Sequence, residues 1–189
     1  MWYLQEKKDT VENWAYVSNV LSKEQCDQVI KIGESLIPNT AFVGDGHLSD
    51  VRDSKVSWIT PNKDSEWLFR HMTDVVLYLN SNFFNFDLDG FLEGFQFTKY
   101  EAPAGKYDLH IDKTFNKSIR KLSIVVQLST PTEYEGGELC IQTSDEAQLM
   151  KKEQGYLVAF PSYTLHGVRP VTSGTRYSLV AWLTGPRFK

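Results

Sequence analysis

The stretch Phe160-Pro-Ser-Tyr-Thr-Leu-His166-Gly-Val-Arg-Pro-Val171 reads as strand, turn, strand, and Gly174-Thr-Arg176-Tyr-Ser-Leu-Val-Ala-Trp182 reads as a turn feeding one more strand. The spacing predicts His166 and Arg176 on neighbouring strands joined by a tight connection, both directed toward one cavity. Upstream, Tyr107-Asp-Leu-His-Ile-Asp112 alternates with period two, which points His110 and Asp112 to the same face of a strand. Two imidazoles and one carboxylate form the three-ligand facial set that suits ferrous iron and leaves coordination positions open. Arg176 is a permanent cation with a planar donor fork, suited to gripping a carboxylate. A lone His is more often an ordinary hydrogen-bonded residue and an H-x-D pair is common by chance. The combination, with its ordered spacing, predicts an iron site beside an anchor for an acidic cosubstrate.

Strand alternation extends this pocket to three strands. If Arg176 faces the cavity, Ser178, Val180 and Trp182 face it too. Residues 122–128 have one aliphatic face, Leu122, Ile124, Val126 and Leu128, and one mixed face, Ser123, Val125 and Gln127. Gln96, Thr98 and Tyr100 share a face opposite Phe95 and Phe97. The mixed faces are those expected to border a polar pocket.

Outward from this core, turn signals at Pro103-Ala-Gly105, Pro131, Gly136-Gly137, Gly155 and Ser173-Gly174 separate strands at about 91–101, 106–112, 121–129, 138–143, 155–160, 164–170 and 175–184. The glycines of Glu135-Gly-Gly-Glu138 read as structural. Before them lie a short strand within 14–20 and a capping-box helix. The helix starts at Ser22, carries Cys26, Val29, Ile30, Gly33, Leu36 and Ile37 at helical spacing, and runs until Pro38. A strand follows at 55–59, then a second helix at 65–79 whose stripe is Leu68, Phe69, Met72, Val75, Val76 and Leu79. Phe83-Phe-Asn-Phe86 reads as core filler. Helices followed by many short strands predict an α+β, mainly β chain built on an antiparallel sandwich.

The chain has 189 residues, 41% of them hydrophobic, 13% aromatic and 23% charged. That is enough for one domain with a sizeable core and far from a disordered composition. A net charge of −4 argues against general nucleic-acid affinity. The local exception is Lys113, Lys117, Arg120 and Lys121, read as a solvated loop in preference to a steering patch. Cys26 and Cys140 are the two cysteines, expected as buried free thiols. There is no signal-peptide pattern and no apolar run of membrane-spanning length, so a cytoplasmic protein without a membrane partner is expected.

Taken together, Tyr100, Tyr107, His110-x-Asp112, Gly136-Gly-Glu-Leu139, Pro161, His166-x-Val-x-Pro-Val171, Gly174-x-Arg-Tyr177 and Trp182 resemble the 2-oxoglutarate- and iron(II)-dependent oxygenases. More narrowly they are similar to the prolyl-4-hydroxylase-like branch, including its short bacterial and phage forms. The catalytic resemblance runs from about Phe91 to Trp182, and residues 14–27 resemble the family's usual first strand and helix. The resemblance implies a double-stranded β-helix (jelly roll) over about 91–184, braced by helical support over about 14–80, in one domain of residues 1–189.

The same resemblance implies Fe(II) held by His110, Asp112 and His166, 2-oxoglutarate and O2 as cosubstrates, and ascorbate as a candidate stimulant. Arg176 would pair with the distal carboxylate of 2-oxoglutarate, Gln127, Thr98 or Tyr100 would add donors, and Trp182 would pack near the iron-binding end. The polar segment 43–58 is a candidate lid or recognition surface. Arg52 and Trp58 within it resemble a pattern of this branch, and with Tyr107 they are the substrate-side candidates. His47 and His71 have no metal-like partners and are assigned no site. One departure bears on substrate: collagen-type prolyl 4-hydroxylases usually carry Lys where this chain has Arg176, which makes a collagen-like target less expected. The expected function is hydroxylation of a residue in a peptide or protein, proline first, coupled to decarboxylation of 2-oxoglutarate to succinate and CO2. The alternatives are oxidation of a free amino acid or other small metabolite, dealkylation of nucleic-acid bases, and a non-catalytic jelly-roll binding module.

Overall fold

The computed structural model describes residues 11–40, 51–112 and 119–187. His47, Lys113, Lys117 and half of the expected lid, residues 43–50, therefore lie outside the described residues. In chain order the elements are β1 (Ala15–Val17), α1 (Lys23–Ser35), β2 (Asn39–Thr40), β3 (Arg52–Asp53), β4 (Lys55–Ile59) and α2 (Glu66–Leu79). A π-helical turn, Asn80–Phe84, follows. The strands then continue as β5 (Phe95–Glu101), β6 (Lys106–His110), β7 (Ile119–Gln127), β8 (Tyr134–Gly136), β9 (Leu139–Gln142), β10 (Gln148–Leu149), β11 (Leu157–Pro161), β12 (Leu165–Val168) and β13 (Val171–Gly185).

These strands form two antiparallel sheets. The larger has the order β1-β11-β7-β13-β5-β4-β2, with β8 also pairing to β13; the smaller has the order β10-β9-β12-β6-β3. From β5 onward the chain crosses repeatedly between the sheets, with β5, β7, β11 and β13 in the large one and β6, β9, β10 and β12 in the small one, the winding of a jelly roll. The expected α+β, mainly β fold is the one observed.

The central strands of the large sheet, β5, β7 and β13, divide their residues between two cores. Outward-facing Phe95, Phe97, Leu122, Ile124, Val126, Leu179, Ala181 and Leu183 pack with the helices in one cluster. Val125, Val158, Phe160 and Tyr100 face the small sheet and pack there with Leu139, Ile141 and Val168. The helices dock because their apolar stripes match this outer face. Cys26, Val29 and Gly33 are buried on α1, and Leu68, Met72, Val76 and Leu79 on α2. A side chain at Gly33 would overlap the Phe97 ring, so glycine lets α1 lie flat on the sheet. Phe69 stacks on Phe95 at 3.9 Å between centroids. The Ser22 capping box forms as its sequence predicts, with the Ser22 hydroxyl accepting from the Gln25 amide. Both cysteines are buried free thiols. Among the described residues, no helix is long and apolar enough to cross a membrane.

Three expectations need correction. His166 and Arg176 are on consecutive strands, but β12 belongs to the small sheet and β13 to the large one. Pro170, which has no N–H to give a ladder, lies where the chain leaves one sheet for the other. Ile37 is 88% exposed, because α1 ends at Ser35, short of Pro38. Arg120 and Lys121 are not in a solvated loop: both lie on β7, and Lys121 is buried. Strands β3, β8 and β10, of two or three residues each, were too short to show a period in the sequence.

Candidate metal and cosubstrate site

A cavity of about 580 Å³ lies between the two sheets, lined among others by His110, Asp112, His166 and Arg176. Cross-strand pairing of β6 with β12 sets His110 opposite His166. Asp112 lies two residues beyond the end of β6, where its backbone N–H donates to the Ser162 carbonyl. One ligand atom from each of the three residues lies within 4.8 Å of the others. The Asp112 carboxylate is 3.4 Å from His166 Nε2 and 3.7 Å from His110 Nε2. No other His, Cys, Asp or Glu grouping of this kind occurs among the described residues.

Backbone carbonyls fix both imidazoles. His110 Nδ1 lies 2.8 Å from the Asp108 carbonyl and His166 Nδ1 lies 2.9 Å from that of Thr164. A carbonyl oxygen only accepts, so each Nδ1 carries the proton and each Nε2 presents a lone pair to the shared centre. Burial holds the His110 imidazole down to about 4, against the added pull of Asp112, so the ring is neutral and ready to ligate at neutral pH. For Asp112, burial pushes the carboxyl up, but the His166 and His110 rings beside it, which attract the carboxylate once they take up a second proton, outweigh that. The group is held well below the usual carboxylate range. The Ser123 hydroxyl donates to Asp112 Oδ2 at 2.8 Å and contacts the Ser162 hydroxyl at 2.9 Å. The donor set fits a hard-to-borderline divalent ion such as iron(II), with three protein ligands and room for others.

Arg176 is fully buried on β13. Its Nη2 donates to Gln127 Oε1 at 2.8 Å, its Nη1 reaches the Ser178 hydroxyl at 3.5 Å, and its Nε is buried with no hydrogen-bond partner. No carboxylate of the described residues pairs with it. A guanidinium cannot shed its charge, so a dry, unpaired one is costly unless an anion joins it. This orphaned donor, in the cavity of the carboxylate–imidazole trio, is what a diacid such as 2-oxoglutarate fits. Tyr100 borders the same space, its ring centroid 5.2 Å from the Arg176 guanidinium carbon. At Gly137, with φ +67°, a Cβ would sit 3.0 Å from Arg176 Cδ, so glycine keeps room for the arginine stem.

The remaining sequence candidates divide. Trp182, Trp58, Tyr107 and Arg52 all line the cavity. Gln127 does not line it and acts through Arg176. Thr98 is fully buried, and its hydroxyl accepts from the Gln96 amide at 2.9 Å; Gln96, not Thr98, reaches the cavity. His71 is tied to the Val20 carbonyl, away from the cavity, in keeping with its having no assigned site. Sequence reasoning missed Arg120, which lies over the Trp182 ring at 3.7 Å and is paired with Glu93 at 2.5 Å. Strict alternation would put Arg120 on the outer face with Leu122 and Ile124; a register shift in the β7–β13 ladder, which skips Lys121, breaks that alternation, and Arg120 lines the cavity. Tyr134 was also missed: it is buried in the inner core beneath Gly137, and only its aromatic character within a short turn-rich segment could have flagged it.

Residues 95–184 match the sequence model of the "2OG-Fe(II) oxygenase superfamily". A "PKHD-type hydroxylase" of Prochlorococcus marinus is 42% identical over 93 residues, which are 49% of this chain and 42% of that protein. The chain thus spans less than half the length of the curated relatives it matches. Among solved structures, a Pseudomonas putida prolyl-4-hydroxylase superposes with a TM-score of 0.73 at 21% identity, covering 93% of this chain and 94% of that one. A Trichoplax adhaerens prolyl hydroxylase, bound to a peptide fragment of the hypoxia inducible factor oxygen degradation domain, superposes with a TM-score of 0.76 at 18% identity. That likeness covers 91% of this chain and 83% of the other. At these identities the structural likeness speaks for the fold, and the sequence match speaks for residues 95–184. Residues 95–184 are thus similar to the 2OG-Fe(II) oxygenase superfamily, and the chain shares the fold of solved prolyl hydroxylases.

Proposed function

We propose that this protein is an Fe(II)- and 2-oxoglutarate-dependent dioxygenase that hydroxylates an amino-acid residue in a peptide or protein, proline first, within a single domain. The observation that carries the reading is the fully buried, carboxylate-free Arg176 in one cavity with His110, Asp112 and His166. Hydroxylase names among the sequence relatives and a peptide-bound prolyl hydroxylase among the fold relatives support the substrate class.

His110, Asp112 and His166 would hold iron(II) through two Nε2 atoms and one carboxylate, and Arg176 would hold the distal carboxylate of 2-oxoglutarate. When bound, iron(II) would activate O2 as the oxidant with 2-oxoglutarate as the two-electron co-reductant, so that one oxygen atom would enter the substrate C–H bond and the other would leave in succinate, with release of CO2. The chain's own contribution is orientation and exclusion. The Asp108 and Thr164 carbonyls keep protons on Nδ1 of both ligating histidines, and Ser123 fixes the Asp112 carboxylate. Gln127 aims the guanidinium of Arg176. Val125, Val180, Leu139 and Val168 give the cavity apolar walls, which strengthens every charge interaction inside it. Trp182 and Trp58, 6.1 Å apart between centroids, flank the space left for the substrate.

The test is aerobic incubation with Fe(II), 2-oxoglutarate and, in parallel, a panel of proline-containing peptides and a panel of free amino acids and small metabolites, followed by mass spectrometry. A gain of one oxygen on proline, matched by succinate, is the expected result. Succinate formed together with an oxidised free amino acid or metabolite, and no peptide product, would replace the peptide reading with the small-molecule one.

A further inference from the structure

The cavity holds a second buried guanidinium, at its substrate side. Arg52 is 8% exposed and stands on β3, opposite Tyr107 of β6. Its guanidinium carbon lies 4.5 Å above the Tyr107 ring, and that ring stacks on the His110 imidazole with centroids 3.5 Å apart. Arg52, Tyr107 and His110 therefore form one stack leading to the metal ligands. Arg52 Nε donates to the neutral Ser54 hydroxyl at 2.8 Å, and its Nη2 is buried without a hydrogen-bond partner.

Among the described residues, no carboxylate forms an ion pair with Arg52. Asp108 pairs with Lys106, Glu93 with Arg120, and Asp112 with the two histidines. Charge balance sharpens the point. A divalent ion with Asp112 leaves one net positive charge, and Arg176 adds another. The two carboxylates of 2-oxoglutarate answer both. Arg52 is then the cavity's unanswered cation among the described residues, held in place before any ligand arrives.

We infer that Arg52 is a specificity-determining residue that binds a carboxylate of the substrate itself, one or two residues' length from the carbon to be oxidised. The carboxylate can come from an acidic side chain beside the target residue or from the free carboxyl end of a short peptide or amino acid. This inference rests on the proposed function, since it assigns Arg176 to the cosubstrate and leaves Arg52 to the substrate.

The test is equilibrium binding to the Zn(II)-loaded protein with saturating 2-oxoglutarate, where no turnover intrudes. One probe pair is N-acetylproline against N-acetylprolinamide; the other is the blocked dipeptide acetyl-Pro-Asp-amide against acetyl-Pro-Asn-amide. We expect the carboxylate member of at least one pair to bind roughly tenfold tighter or more. That preference should vanish in Arg52→Gln and persist in part in Arg52→Lys, which keeps the charge and controls for folding. The pair showing the preference identifies the source of the carboxylate. Equal affinities within both pairs, or a preference untouched by Arg52→Gln, overturns the assignment. A separate titration of 2-oxoglutarate tells the two failures apart. Normal 2-oxoglutarate binding without any carboxylate preference sinks the role of Arg52 alone, whereas no 2-oxoglutarate binding sinks the function and the inference together.

Discussion

The two faces of the large sheet are built from the same strands yet obey different rules. On the helix side, Leu122, Ile124, Val126, Leu179, Ala181 and Leu183 meet α1 and α2 in a contact of apolar groups, where any well-filled packing serves. On the cavity side the same strands present Ser123, Gln127, Arg176 and Ser178, all buried, and there each group needs a particular partner. One face contributes stability that is spread over many residues. The other concentrates charge and orphaned donors in a few positions, and that asymmetry is what marks it as a site.

Substitutions on opposite faces should therefore separate binding from stability. The largest effect is expected at Asp112. Asp112→Ala removes the one carboxylate of the trio and should abolish both tight metal binding and turnover, as measured by metal titration and succinate release, with the fold retained. Arg176→Met should leave metal binding in place but weaken 2-oxoglutarate by about 2–5 kcal/mol, the range for truncating one partner of a buried charge pair; isothermal titration with the metal-loaded protein measures this. On the helix side, Ile124→Ala should cost about 2–4 kcal/mol of unfolding free energy in urea while 2-oxoglutarate affinity stays unchanged. Coupling of Ile124→Ala to the cosubstrate would break the division between the faces.

The smallest expected effect is on pH dependence. The His110 imidazole is held to about 4 by burial, whereas in the unfolded chain it takes up its proton near the ordinary value of about 6.5. Between those values the unfolded chain binds more protons, so the metal-free protein loses stability as pH falls from about 6.5 toward 4, by at most about 1.4 kcal/mol per unit. Asp112, held below its ordinary range, extends the loss into stronger acid. Above neutrality neither group contributes a slope. Urea midpoints taken across this range check the sign, and removing the imidazole with His110→Asn should flatten the upper part of the curve.

The contrast between the faces also explains what the sequence could show. Alternation in residues 95–100, 122–128 and 176–182 is unbroken, so it sorted inner from outer side chains correctly on three strands. His110, Asp112 and His166 are legible as candidate ligands because their residue types carry a specific chemistry at a specific spacing, and the fold brings them together. Period two fails wherever a ladder slips, and the register shift beside Lys121 hid the cavity-facing Arg120 inside what looked like a basic loop. Sheet membership is not encoded in any local pattern, so the crossing from β12 to β13 was read as adjacency. Arg52 was named for its likeness to relatives, but its unpaired Nη2 is a tertiary fact: only the fold sets it over Tyr107, on a strand of two residues.

Anaerobic addition of Fe(II) and then 2-oxoglutarate, followed by visible absorption, tests most directly whether the trio and Arg176 serve one centre. The account predicts a charge-transfer band that saturates with 2-oxoglutarate, is absent in Asp112→Ala, and in Arg176→Met needs far more 2-oxoglutarate to appear. No band in the wild-type protein, or one whose 2-oxoglutarate dependence is the same in Arg176→Met, would contradict it.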